Sequence, residues 1–215
     1  MKTLGCLVAA CAISAATTAV AEWEVSFYTG YQTAPHSGVT GEFGNGKPID
    51  VSAGWEGRSF EAPPYYGLRA TRWSGPWGFG AEFTHTKVYA DDETLQKGEL
   101  ERLEFTDGLN ALTVNAIRRW DRGAFTPYAG GGLGVAIPHV DVQEMGSSEK
   151  TFEYQLVGPA ARAFAGVSYS FATNWAVFGE YQMTYSMVDA ELDGGGSLET
   201  DIITNALNIG LSYRF

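Results

Sequence analysis

Leu207-Asn208-Ile209-Gly210-Leu211-Ser212-Tyr213-Arg214-Phe215 ends the chain. Apolar residues alternate there with small or polar ones, and the last residue is aromatic. A period of two puts Leu207, Ile209, Leu211 and Tyr213 on one face of an extended strand and Asn208, Ser212 and Arg214 on the other. The opposite end is a different kind of segment. Lys2 is followed by an apolar run over residues 4–16 and then by small residues up to Ala19-Val20-Ala21. These are the three parts of a secretory signal. The run is short of the ~20 apolar residues a membrane helix needs, and Val8-Ala9-Ala10-Cys11 is a poor lipidation box. Cleavage after Ala21 is expected, which makes residues 1–21 the signal and 22–215 one mature domain.

An exported chain that ends on an amphipathic strand with a terminal aromatic fits a barrel of the Gram-negative outer membrane. Lipid offers no partner to an unpaired backbone group, so such a sheet must close on itself. Its last strand would be the segment that the barrel-assembly machinery receives. Both cysteines, Cys6 and Cys11, fall within the signal. The mature chain therefore has no disulfide, thiol nucleophile or cysteine-bound metal. Its formal charge is −12 once Lys2 is removed from a total of −11. That excludes nucleic acid as a partner and suits divalent cations beside an anionic glycolipid. Aromatics make up 13% of the chain, enough for the interfacial girdles of a membrane barrel. Packing in a soluble β-sandwich is the competing use for them. A monomer is expected.

Period-two alternation predicts an all-β fold, an eight-stranded antiparallel transmembrane β-barrel of the OmpA or OmpW kind. Strands are expected over residues 23–33, 65–74, 77–89, 109–120, 126–137, 157–171, 175–188 and 202–215. Connections alternate between short (74–77, 121–125, 172–174) and long (34–64, 90–108, 138–156, 189–201). Short turns face the periplasm and long loops face outward in such barrels. Residues 51–60 read as an extra hairpin arm beyond the membrane. The alternation turns Phe27, Leu68, Phe79, Val114, Leu133, Val167, Tyr181 and Ile209 to lipid. It turns Glu24, Arg69, Glu82, Asn115, Arg119, Arg162, Glu180, Gln182 and Asn208 inward. A lumen of eight strands is just filled by side chains. The predicted interior is a closed, salt-bridged plug with Arg69, Arg119 and Arg162 each meeting Glu24, Glu82 or Glu180, because an unpaired buried charge is costly. An ion pore or a buried catalytic acid pair is the alternative.

All three histidines, His36, His85 and His139, map to the outer end. Carboxylates crowd the same rim, among them Glu104, Asp107 and Asp141. Histidine nitrogens with carboxylates and no thiolate suit a borderline or hard divalent metal. The expected metal ligands are His36, His85, His139, Glu104 and Asp141. The expected catalytic residues are His36, His85, His139 and Asp107. His139-Val140-Asp141 places two polar side chains on one face of an extended segment, where they could hold a metal or orient a base, although surface loops carry such pairs often. No Gly-x-Ser-x-Gly elbow is present. Gly130-Gly131-Gly132-Leu133-Gly134 lies in a strand pattern, where glycine permits close packing. Asp193-Gly194-Gly195-Gly196-Ser197 reads as a tight outer turn rather than a calcium loop.

Several blocks resemble a family of small alphaproteobacterial outer-membrane barrels, the lipid A oxidases. They include residues 23–37, Gly54-Trp55-Glu56-Gly57, Pro63-Pro64-Tyr65-Tyr66-Gly67, Glu82-Phe83-Thr84-His85-Thr86-Lys87-Val88-Tyr89, Leu103-Glu104-Phe105-Thr106-Asp107-Gly108, Pro138-His139-Val140 and Phe152-Glu153-Tyr154-Gln155. The resemblance spans nearly all of the mature chain. The blocks around His36, His85, Asp107 and His139 are its specific part, since a purely structural barrel has no evident use for them. The resemblance implies oxidation of lipid A by molecular oxygen, helped by a divalent metal. The proximal glucosamine would become 2-aminogluconate, with hydrogen peroxide as by-product. The partners implied are lipopolysaccharide and the outer membrane. No residue role is carried over from the family. The alternative from another class is a non-catalytic small barrel serving envelope integrity or adhesion. A lipid A deacylase is a lesser third.

Overall fold

A computed structural model describes residues 22–215; the expected signal over residues 1–21 lies outside them. The elements in order are β1 (Glu22–Glu42), β2 (Pro48–Glu56), β3 (Tyr66–Ser74), β4 (Trp77–His85), β5 (Val88–Ala90), α1 (Asp92–Gly98), β6 (Leu100–Phe105), β7 (Leu109–Arg119), β8 (Phe125–Glu144), β9 (Lys150–Tyr154), β10 (Gly158–Ser170), β11 (Trp175–Leu192) and β12 (Gly196–Arg214). Eight of the twelve strands make a closed antiparallel ring, β1-β3-β4-β7-β8-β10-β11-β12 and back to β1. Closure is made by the C-terminal strand, from Glu24 opposite Arg214 to Thr33 opposite Asn205. Trp23 and Phe215 exchange backbone hydrogen bonds of 3.1 and 3.0 Å at its end. This is the eight-stranded barrel that the alternation predicts.

The expected long loops are largely strand. β11 runs for 18 residues and β12 for 19, nearly twice the ~9–11 a tilted strand needs to cross the membrane. Beyond the ring, β1 pairs with β2, β2 with β5, β5 with β6, and β6 and β9 with the upper part of β8. The arm expected over 51–60 is β2, displaced to Pro48–Glu56 and built into this second storey.

The two storeys have opposite insides. In the ring Phe27, Phe79, Val114, Leu133, Leu207 and Ile209 are exposed toward lipid. Above it Val39, Ile49, Val51, Val88, Leu103, Phe105, Val140, Val142, Val188, Leu198 and Ile202 face inward as one apolar core. On β11 the strand stays in phase while the greasy face changes: Tyr181 and Met183 point out, whereas Val188, Ala190 and Leu192 point in. The solvent is the cause. Lipid accepts apolar side chains on the outside, so the ring fills itself with hydrogen-bonded polar groups. Water rejects them, so the outer storey buries them.

The lumen is a plug. Arg69 donates to Glu82 through Nε (2.7 Å) and Nη2 (3.2 Å), and to Glu180 through Nη1 (2.9 Å) and Nη2 (2.8 Å). Arg162 Nη1 lies 2.5 Å from Glu82 Oε1. Tyr28 and Asn115 also donate to Glu82, at 2.5 and 2.7 Å. Two guanidiniums therefore balance two carboxylates out of water. Arg119 departs from expectation. Its partners are Glu22 (3.4 Å) and Asp121 (3.8 Å), both at the periplasmic mouth, while Glu24 is taken by Arg214 at 2.6 Å. Arg119 is the last residue of β7, beside a cavity it shares with Glu24, and there the Glu24 carboxylate is already engaged by Arg214.

Candidate functional site

Just above the lipid belt, the outer wall carries a polar and aromatic patch. Period two makes it. On β4 the outward series Phe79, Ala81, Phe83 continues to His85. On β8 the series Leu133, Val135, Ile137 continues to His139 and Asp141. On β7 Leu112 is followed upward by Asn110. Each strand exchanges its lipid-facing apolar residues for polar ones as it leaves the membrane.

His85 and His139 are both nearly buried. His85 Nδ1 lies 2.9 Å from Asn110 Oδ1, and its ring stacks on Tyr66 with centroids 5.2 Å apart. Asn110 donates through Nδ2 to the Asp107 carbonyl at 3.5 Å. That fixes its Oδ1 toward His85, so Nδ1 carries the proton and Nε2 holds the lone pair. His85 Nε2 has no hydrogen-bond partner, and neither has His139 Nδ1. The His139 ring meets Phe152 and Tyr154 edge-on, at 4.3 and 4.7 Å.

The turn Asp107-Gly108 joins the two histidines. His139 N donates to Gly108 O at 2.8 Å, and Tyr154 hydroxyl donates to Asp107 O at 2.7 Å. Gly108 is in the left-handed region at φ 113°, as is Asp107 at 52°. A Cβ on Gly108 would lie 2.3 Å from Asn110 Oδ1 and 2.6 Å from His85 Nδ1. Only glycine lets the turn press against this pair.

Beside the histidines, Glu104 of β6 stands opposite Asp141 of β8. Arg102 donates to Glu104 at 2.9 Å, and Lys150 lies 3.1 Å from Asp141. Burial, with the Asp141 charge next, raises the Glu104 pKa above the ordinary range despite Arg102. Lys87, at the break between β4 and β5, is fully buried. Its ammonium donates to the Glu61 carbonyl at 2.9 Å, and burial lowers its pKa.

The structure brings together His85, Asp107 and His139, and separately Glu104 and Asp141. It does not bring His36 to them. His36 is exposed over Gly54, next to Asp91: a Cβ at Gly54 would meet Asp91 Oδ2 at 2.2 Å and His36 Nε2 at 3.2 Å. Among the described residues no three His, Asp or Glu side chains are placed to hold one metal ion. The expected ligand set of His36, His85, His139, Glu104 and Asp141 is thus not assembled. β4 and β8 are separated by β7, roughly 10 Å of sheet, and Asp141 is engaged by Lys150. The sequence reading missed Asn110, Tyr66 and Tyr154, whereas it had placed Lys87 on one face with His85. Asn110 and Tyr66 had a signal, as the outward positions where β7 and β3 leave the membrane.

The sequence matches the family model "Outer membrane protein beta-barrel domain" over residues 4–215. No curated protein matches it. Among solved structures it is similar to Neisserial surface protein A, at 14% identity and TM-score 0.53, covering 91% of this chain and 99% of that one. It is also similar to the outer membrane protein AlkL (16%, TM-score 0.48, 97% of each chain). A third is the N-terminal β-barrel domain of Pseudomonas aeruginosa OprF (13%, TM-score 0.41, 89% and 97%). At these identities the likeness to Neisserial surface protein A shows the fold alone. With a ring closed by its terminal strand, a belt of lipid-facing residues and a family match over almost its whole length, the chain belongs to the outer membrane protein beta-barrel family and resides in the outer membrane.

Proposed function

We propose that this barrel is an oxidoreductase acting on lipid A, which uses molecular oxygen to convert the proximal glucosamine to 2-aminogluconate. One observation carries the reading. Two buried histidines border the same turn on the outer wall, directly above the lipid belt, and each leaves a ring nitrogen that is shielded from solvent and without a protein partner, so that a side-chain movement must open them to a sugar. Lipid A lies in the outer leaflet, so its sugars stand at this height while its acyl chains follow the wall below. The blocks around His85, Asp107 and His139, together with that around His36, are also the specific part of the resemblance to lipid A oxidases.

The balance of the reaction defines what the residues must do. Overall, the C1–H and O1–H bonds of the reducing sugar break and C1=O1 forms, while dioxygen takes up two electrons and two protons, the O1–H proton passing through a base, so that the products are a lactone and hydrogen peroxide. Water then opens the lactone to the acid. His85 Nε2 is the base, its tautomer set by Asn110. His139 holds the sugar by a second hydrogen bond. Asp107 and Tyr154 keep the turn in place. No step is assigned to a metal ion, because the ligand set expected for one is not assembled.

The competing reading is a non-catalytic small barrel. The observation on its side is that scattered placement of ligands, with Asp141 already engaged by a lysine.

Mass spectrometry of lipid A from cells expressing the parent, His85→Ala, His139→Ala and His36→Ala tests the proposal. The parent should add one oxygen atom to the proximal sugar and release peroxide. His85→Ala should abolish the change, His139→Ala should slow it, and His36→Ala should leave it. A parent that leaves lipid A unaltered supports the non-catalytic barrel. A His85→Ala variant working at the parent rate refutes the site.

A further inference from the structure

The periplasmic edge of the lipid-facing wall holds two arginines that the function above does not use. Arg72 of β3 and Arg118 of β7 are both exposed on the outside of the ring. Neither lies within 4 Å of a carboxylate among the described residues. Their neighbours at the same end differ: Arg119 and Arg214 turn inward and are paired with Glu22 and Glu24. β4 runs between the two strands. Phe79 stands opposite both Arg72 and Ala116, and Trp77 opposite Arg118. The arginines are thus two strands apart and two residues out of level, roughly 12 Å between their Cα atoms, which two long side chains can span to reach one group between them. Arg118 lies 5.2 Å from the Trp77 ring and 5.7 Å from the Trp120 ring. Trp23 stands opposite Arg72 on the other side.

A groove leads from this edge into the belt. It begins at Trp23, Arg72 and Ser74 and continues along an apolar floor to Val114, Gly131 and Leu133. Arg72 stands at its edge end, Arg118 lies beside it rather than in it, and its floor is mostly hydrocarbon, with the backbone of the Asn115 and Arg162 strands beneath; a cationic edge over an apolar floor is the pattern that suits a phospholipid. An arginine facing hydrocarbon is strongly unfavourable unless its charge is met at headgroup level. The mature chain is acidic overall, so two unpaired arginines on a lipid-facing edge are not explained by composition.

We propose that Arg72 and Arg118 form a binding site for an anionic glycerophospholipid of the periplasmic leaflet. The phosphate sits between the two guanidiniums, with Trp23 and Trp77 beside the glycerol and one acyl chain in the groove. Arginine suits this role because its planar fork donates two parallel hydrogen bonds to phosphate oxygens. The site is independent of any chemistry at the outer rim.

Native mass spectrometry of the mature barrel, released from bilayers of equal phosphatidylglycerol and phosphatidylcholine, tests it. The parent should retain one phosphatidylglycerol in preference to phosphatidylcholine. Arg72→Gln/Arg118→Gln, checked for folding by its heat-modifiable gel mobility, should lose that preference by roughly 10- to 30-fold. Arg122→Gln, in the neighbouring turn, should keep it. Equal retention of the two lipids by the parent overturns the proposal. So does a double variant that holds phosphatidylglycerol as well as the parent, or a barrel that covers this face with a second copy and appears at twice the mass.

Discussion

Replacing Glu82 by glutamine should unfold more of this barrel than any other isosteric change in the lumen. Glu82 is 1% exposed. It takes two hydrogen bonds from Arg69, one from Asn115 and one from Tyr28, and it is the carboxylate that meets Arg162. Glu82→Gln keeps the volume and removes the charge. Arg69 retains Glu180 through two hydrogen bonds. Arg162 does not have that recourse; Thr84 hydroxyl, at 2.6 Å, is its remaining close acceptor. Breaking a buried pair by deleting one partner costs about 3–5 kcal/mol, most of it the uncompensated charge. Glu82→Gln should therefore lower the unfolding free energy by about that amount in urea titrations from phosphatidylcholine vesicles, followed by tryptophan emission and gel mobility. Adding Arg162→Met removes the stranded charge. The double variant should then be at least about 2 kcal/mol more stable than the sum of the singles. A Glu82→Gln cost below about 1 kcal/mol, or strict additivity, would refute the reasoning that the lumen is held by neutralised charge.

Two further outcomes probe the outer wall. Gly108→Ala should separate Asn110 from His85, because the added Cβ has no room and φ is positive; imidazole nitrogen shifts of His85 should move and peroxide formation fall. Gly75→Ala, also at positive φ but in open space, should cost about 1–2 kcal/mol and leave both unchanged; unaltered His85 shifts in Gly108→Ala would show that the turn does not set the pair. Glu104 has a raised folded-state pKa, so its contribution to stability is present at low pH and is lost as pH rises through that pKa. The stability of Glu104→Gln relative to the parent should accordingly improve as pH rises above the ordinary glutamate value of about 4.3, and a difference that stays flat with pH would show that burial does not govern Glu104.

The sequence by itself determined the ring. Lipid on one side and a narrow lumen on the other impose a two-residue period. The faces read from it hold for Phe27, Leu133 and Ile209 outside and for Arg69, Glu82 and Glu180 inside. It also placed His36, His85 and His139 beyond the lipid belt, at the end away from the short turns. The tertiary structure decided what stands there. Alternation states that a strand has two faces but not which one meets water, so the exchange of faces between Met183 and Val188 and the second storey with its apolar core were not legible. Strand register decided the site, by setting Asn110 beside His85, His139 against Gly108 and Glu104 opposite Asp141, and by leaving His36 with Asp91. Those pairings join residues 25 to 55 positions apart along the chain, and a local pattern holds no information on which of them meet.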